Sequence, residues 1–163
     1  MTSLSLIVIF FLPTLLFGQD NPDCYAEKDF LIVYATKNYS IALSTAKQAS
    51  KKLNIQLDLR NLLQDSDTLH GLTLPSDTCL KYWGDLDSSI RTCYVARGRY
   101  DDGIYISIEY SSSYYSCQRG YYIVMVDSGF KGDGELKSTL KKVKTKYTDA
   151  YIKTSKVYMC CSR

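Results

Sequence analysis

Histidine is nearly absent from this chain of 163 residues, which has one, His70, and no Cys-x-x-Cys pair. Zinc sites need three or four Cys, His or carboxylate ligands, and this chain offers almost no such set. His70 precedes a glycine and has no serine or cysteine nucleophile motif beside it, whereas catalysis requires a partnered group of side chains. The sequence therefore predicts no metal, no cofactor and no enzymatic activity.

Lysine and arginine are missing from the first 18 residues. Residues 4–17 are almost wholly apolar, which is shorter than the ~20 residues that span a bilayer as a helix. The small residue Gly18 and a polar stretch follow, a layout typical of a secretory signal peptide cut between Gly18 and Gln19. A retained anchor is the alternative. We expect a mature chain of residues 19–163, one domain by size, in the periplasm or secreted.

Six cysteines lie in the predicted mature part, and an even number in an exported chain indicates disulfides and no free thiol. Cys160 and Cys161 should have different partners, because neighbouring side chains of a strand point to opposite faces. We expect Cys79 to pair with Cys93, and Cys117 with one of the two C-terminal cysteines. The six are Cys24, Cys79, Cys93, Cys117, Cys160 and Cys161.

Two segments share one pattern, an apolar run, a helical stripe and an extended end. Residues 30–35 and 121–126 predict strands, and each is followed by apolar residues at i, i+4, i+7 and i+11, which is one face of a helix. Ser40 is a candidate helix cap. Residues 55–59 alternate between apolar and polar, which predicts a strand, and a last strand follows Ala150. The helical stripes are Ala42, Ala46, Ala49 and Leu53, then Leu136, Leu140, Val143 and Tyr147.

The region between the two units contains an insertion and a turn signal. Residues 61–91, which include Trp83, are weakly patterned and predict a disulfide-tied insertion. Asp101-Asp102-Gly103 predicts a β-hairpin with a strand on each side. The predicted fold is α+β: two β-α-β units plus the hairpin form a mostly antiparallel sheet with the helices on one face.

Two short motifs stand in the second unit: residues 123–130 read IVMVDSGF, and Asp149-Ala150-Tyr151-Ile152 follows its helix. With these motifs, which approximate the family's strand-end and closing motifs, the two units resemble the sporulation-related repeat (SPOR) family of bacterial envelope proteins. It implies a four-stranded antiparallel sheet with two helices on one face, and a non-catalytic envelope module that binds peptidoglycan glycan strands. The separation of the halves and the six cysteines depart from the family.

Tyrosines on the face of the sheet opposite the helices are the candidate glycan site. Tyr105 lies opposite the isoleucine face of its strand, and one of Tyr121 and Tyr122 must face outward with it. We selected Tyr105, Tyr122 and nearby Arg97, because tyrosine offers a flat apolar ring with a hydroxyl and arginine pairs with carboxylates. The alternatives are that these rings serve the sheet alone, and that the chain is a secreted structural or protein-interaction domain.

Carboxylates and lysines suggest further sites that the pattern does not favour. Glu109 with Asp101 or Asp102 would be a glycosidase pair, but the aspartates fit a turn and Glu109 fits a solvated strand position. Residues 131–163 carry 9 Lys and Arg against 3 Asp and Glu. Such a basic end attracts anions, whereas we interpret its lysines as a solvated helix face and expect no nucleic-acid partner.

Overall fold

The computed structural model describes residues 24–65, 71–75, 77–79 and 93–160. The predicted signal peptide, His70, Trp83 and Cys161 lie outside these residues. The bounds of the helices and strands that organise the described part follow in chain order, apart from a short 3₁₀ helix at Ser111–Ser113. They are β1 (Tyr25–Thr36), α1 (Tyr39–Leu53), β2 (Leu63–Gln64), β3 (Leu72–Thr73), β4 (Gly103–Tyr110), β5 (Tyr122–Phe130), α2 (Gly134–Lys144) and β6 (Tyr151–Tyr158).

The main sheet has four strands in the order β4-β5-β1-β6, and every neighbouring pair is antiparallel. With the two helices, the chain runs β-α-β-β-α-β, which is the ferredoxin-like arrangement. Strands β2 and β3 form a separate two-stranded sheet within the insertion. The predicted α+β fold with a mostly antiparallel sheet is therefore confirmed.

Both helices pack on the same face of the main sheet. Ala42, Ala46 and Ala49 of α1 are fully buried against Val124 of β5, in a core that also receives Leu136 of α2. Alanines at this spacing let the helix approach the strands closely, and burial of the apolar stripe supplies most of the stability of such helices. The other side of the sheet, here called the second face, carries a different apolar cluster.

The helix ends are fixed by side-chain caps. The Asn38 side chain accepts a hydrogen bond from the Ile41 amide at 3.2 Å, so Asn38 and not Ser40 caps α1. Asn54, in the left-handed conformation, ends the helix. The Asp133 carboxylate accepts from the Glu135 amide at 2.8 Å and caps α2.

The predicted strand at residues 55–59 is wrong. Leu57 forms one isolated parallel bridge to Ile106, where the Asp58 amide donates to the Ile106 carbonyl and the Ile106 amide donates to the Gln56 carbonyl, each at 2.8 Å. The segment thus runs along the outer edge of β4, and β4 is the strand that follows α1 in the sheet. Alternation in the sequence reports one buried face and does not reveal which strand is the partner.

The first arm of the predicted hairpin is also wrong. In the described structure residues 94–102 form no strand. Residues 94–100, here called the covering segment, pass instead from the helix-side core at Val95 to the second-face cluster at Ala96. Gly98 has φ +87°, and a Cβ built there would lie 3.0 Å from the Phe30 ring, so this close approach requires glycine. The covering segment and Tyr114 bury the second-face cluster around Phe30 and Met125.

The described residues contain two disulfides. Cys79–Cys93 is present as predicted and ties the insertion to the start of the covering segment. Cys160 pairs with Cys24, and Cys117 is a free thiol. The predicted bridge from Cys117 to one of the two C-terminal cysteines is therefore wrong, and so is the expectation of no free thiol. Disulfides are typical of proteins that fold in an oxidising, extracytoplasmic compartment. No helix within the described ranges is long and apolar enough to cross a membrane.

The two bridges should differ in their effect on stability. Cys24–Cys160 closes a sequence separation of 136 residues and Cys79–Cys93 one of 14. Loop entropy then gives losses of up to about 5 kcal/mol for Cys24→Ser with Cys160→Ser and up to about 3 kcal/mol for Cys79→Ser with Cys93→Ser. Urea denaturation of the two double variants measures this difference, and a larger loss for the shorter loop would contradict it.

Candidate binding groove on the second sheet face

Arg97 is an interior residue, so its predicted role as an accessible glycan contact is wrong. It is fully buried, and its guanidinium stacks over the Tyr105 ring at 3.6 Å. It donates to the hydroxyls of Ser128 and Ser107 at 3.2 and 3.0 Å, and to the carbonyls of Tyr105 and Gly103 at 2.9 and 2.6 Å. The covering segment brings Arg97 onto β4, where it satisfies backbone and side-chain acceptors.

Tyr105 lies on the second face as predicted, but half-buried beneath Arg97. Its hydroxyl donates to the Asp101 carboxylate at 2.7 Å. Burial raises the pKa of Tyr105 above its ordinary value, Arg97 opposes this, and the hydrogen bond to Asp101 adds to it. Arg97 covers one face of the ring and Asp101 binds its hydroxyl, so the open tyrosine surface predicted at this position is wrong.

Tyr122 points to the helix side of the sheet, so its predicted outward position is wrong. It shares the side of Val124 and Val126, packs against Tyr39 and Tyr110, and donates a hydrogen bond to the Gly71 carbonyl at 3.2 Å. Tyr121 is the member of the pair that reaches the second face. The sequence did not separate them, because both sides of β5 are apolar.

A buried charge network lies under the covering segment and centres on Glu109, which is 0% exposed. Arg60 donates from Nη1 to both Glu109 oxygens at 3.0 and 2.9 Å, and its Nε lies 2.9 Å from Asp101. The hydroxyls of Tyr94 and Tyr114 also donate to Glu109 Oε2. The predicted solvated position of Glu109 is therefore wrong.

The network explains the electrostatics of its members. Burial lowers the pKa of Arg60, yet the Glu109 and Asp101 carboxylates outweigh that effect, so the pKa of Arg60 lies above its ordinary value. Burial raises the pKa of Tyr94 and of Tyr114, and the negative charge of Glu109 raises both further. Both phenols therefore stay protonated as donors to Glu109 at neutral pH.

Loss of Glu109 should destabilise the domain strongly. Glu109→Ala leaves the Arg60 guanidinium and two phenols without their acceptor, and removal of one member of a buried ion pair costs about 3–5 kcal/mol. Denaturation of Glu109→Ala, of Arg60→Met and of the combined variant measures the coupling, and we expect the combined loss to be smaller than the sum. A loss below about 1 kcal/mol for Glu109→Ala would contradict a structural role.

Part of the second face is open near the end of β1 and the start of β6. A groove of about 280 Å³ lies there, beside the 116–118 loop. Tyr151 and Lys153 are two positions apart on β6 and therefore project to the same side. Tyr151 is 47% exposed and Tyr121 is half-buried. The lining residues are Ala35, Ser111, Ser116, Cys117, Gln118, Tyr121, Ile123, Tyr151 and Lys153.

Serine side chains position the walls of this groove. Ser111 exchanges backbone and side-chain hydrogen bonds with Tyr121, each at 2.8 Å, which fixes the strand entry that carries this ring. The Ser116 hydroxyl donates to the Thr154 carbonyl, and the Ser116 amide donates to the Ser155 hydroxyl at 3.4 Å, so the loop is held against β6. The groove thus presents two phenols, an amide, hydroxyls and an ammonium from a fixed frame.

No protein-family model, curated protein sequence or solved structure matches this chain. The fold defines a ferredoxin-like α+β domain with disulfides at Cys24–Cys160 and Cys79–Cys93. The resemblance to the SPOR family stays a prediction.

Cys117 should react slowly with alkylating reagents. Burial raises the pKa of its thiol, and the positive charge of Lys153 partly offsets this. Since the thiolate is the nucleophile, iodoacetamide at pH 8 should modify Cys117 more slowly than a small thiol, and Lys153→Met should slow the reaction further. Mass spectrometry of peptides from the folded protein gives both rates. A faster reaction in Lys153→Met would contradict the inferred effect of Lys153 on the pKa of the Cys117 thiol.

Proposed function

We propose that this chain is an exported, non-catalytic domain that binds a glycan strand in the groove on the second face. The observation that carries the proposal is that Tyr121 and Tyr151 line one groove together with Gln118 and Lys153. Tyrosine rings offer flat apolar surfaces to sugar rings, and their hydroxyls together with the amide supply directed hydrogen bonds. This site does not include Arg97 and Tyr122, two of the contacts predicted from the sequence, because both are buried.

Binding fits this groove better than hydrolysis. Glycoside hydrolysis uses two carboxyl groups flanking the scissile bond, and no Asp or Glu belongs to the groove's described lining. Glu109 and Asp101 are both engaged by Arg60 beneath the covering segment. We therefore propose that the domain holds its ligand without cleaving it.

Peptidoglycan is the ligand that we propose, in the periplasm of a bacterium. The resemblance to the SPOR family supports this choice, and the antiparallel four-stranded sheet with two helices on one face agrees with what that resemblance implies. Lys153 adds a positive charge that suits the carboxylates of peptide stems. The competing proposal is a secreted protein-interaction domain without affinity for glycans.

Co-sedimentation of residues 19–163 with purified sacculi tests the proposal. Tyr121→Ala and Tyr151→Ala should each weaken retention roughly two- to tenfold, because one aromatic contact contributes about 0.5–1.5 kcal/mol. Tyr100→Ala is the matched control, because Tyr100 is exposed and is not part of the groove lining. No retention of the unaltered domain, or equal losses in all three variants, would contradict glycan binding in this groove.

A further inference from the structure

The outer surface of the two helices is strongly cationic. Residues 39–53 and 134–146 contain eight lysines and one acidic residue, Glu135. All eight lysine side chains are exposed. They are Lys47, Lys51, Lys52, Lys137, Lys141, Lys142, Lys144 and Lys146. Because both helices lie on one face of the sheet, these charges belong to one side of the domain, opposite the glycan groove.

The structure joins some of these lysines from the two helices around an apolar floor. Lys52 at the end of α1 borders a groove of about 310 Å³ together with Lys142 of α2 and Lys146, which lies two residues beyond that helix. This site is here called the lysine groove. Its apolar lining residues are Leu53, Ile55, Ile104 and Val143.

Ion pairing does not account for this arrangement, although the Lys52 ammonium lies 5.5 Å from the centre of the Tyr147 ring. Within the described residues the acidic partners of ion pairs are bound to Lys28, Arg60 and Lys131, and none of the eight lysines forms such a pair. Helix dipoles favour cations in the last turn, which explains Lys51, Lys52 and the end of α2. The helix dipoles do not explain Lys47 or Lys137. They also do not explain why Ile104, beside these cations, is 56% exposed.

We propose that the helical side of the domain docks on a membrane surface rich in anionic phospholipids, with the lysine groove as the point of closest contact. Neither helix carries an arginine, and lysine is a flexible point charge that suits diffuse attraction to many phosphates more than bidentate recognition of one. Each lysine that reaches such a surface strengthens binding roughly fivefold.

The apolar floor favours a lipid surface over a soluble polyanion. Ile104 and Leu53 lie between the ammonium groups, where they contact the glycerol and acyl boundary once the lysines reach the headgroups. A soluble anionic polymer would be held by the charges alone. Docking by the helices also leaves the second face, with its tyrosines, directed away from the bilayer.

Sedimentation of residues 19–163 with vesicles tests this docking. We expect binding to vesicles of phosphatidylglycerol mixed with phosphatidylcholine, a steep loss as salt is raised, and no binding to phosphatidylcholine alone. Lys52→Gln with Lys142→Gln and Lys146→Gln should weaken binding at least tenfold. The matched control, Lys37→Gln with Arg119→Gln and Lys131→Gln, removes the same charge elsewhere and should change binding less than twofold.

Ile104→Ser separates a lipid surface from a soluble polyanion. It should weaken vesicle binding several-fold and leave binding to a sulfated polysaccharide unchanged. Equal losses in the two triple variants, or binding to the polysaccharide without binding to vesicles, would overturn the proposal. The lysine triple variant should still be retained on sacculi, because its tyrosine groove is intact. This measurement distinguishes a failure of membrane docking from a failure of glycan binding.

Discussion

The carboxylate of Glu109 is the group on which the organisation of the second face depends. It lies next to the C-terminal end of β4 and accepts hydrogen bonds from Arg60, just before the insertion, and from Tyr94, just after it. A buried carboxylate is tolerated only when it is paired and hydrogen-bonded. The network therefore fixes where the insertion leaves the sheet and where it returns, although the two residues are far apart in sequence.

That constraint also shapes the candidate site. Glu109 and Arg97 hold the covering segment across β4 and the middle of the sheet, and Phe30 packs beneath it through contact with Gly98. The part of the second face near Tyr121 and Tyr151 stays open and forms the groove. By holding the covering segment in place, the network keeps one half of the second face covered. It thereby sets where the open half with the groove begins.

The helices and strands with a regular apolar spacing could be predicted from the sequence, because that spacing depends only on which side of the element is buried. The alanine stripe of α1 and the leucine stripe of α2 depend only on the spacing of residues along one helix. The Cys79–Cys93 pair closes a short loop and could be predicted for the same local reason. The fold class follows once two such helices alternate with apolar strands.

The covering segment and the site could not be predicted, because they depend on contacts between distant residues. Glu109 occupies the polar side of an alternating strand, which is the pattern of a solvated residue, and hydrogen bonds from distant residues such as Arg60 and Tyr94 make its burial tolerable. For Tyr121 and Tyr122, the apolar character of both strand sides removed the signal that alternation normally gives. The free thiol of Cys117 was missed because an even cysteine count says nothing of geometry.

The most direct test of the central claim is a residue-resolved NMR titration of residues 19–163 with soluble peptidoglycan fragments. The account predicts that amide shift changes concentrate at residues 116–121 and 151–153, and that Arg97 and Tyr105 show none beyond the noise. Saturable changes centred on Arg97 and Tyr105 would mean that the covering segment opens to admit the ligand. Such a result, or the absence of any saturable change, would contradict glycan binding in the groove.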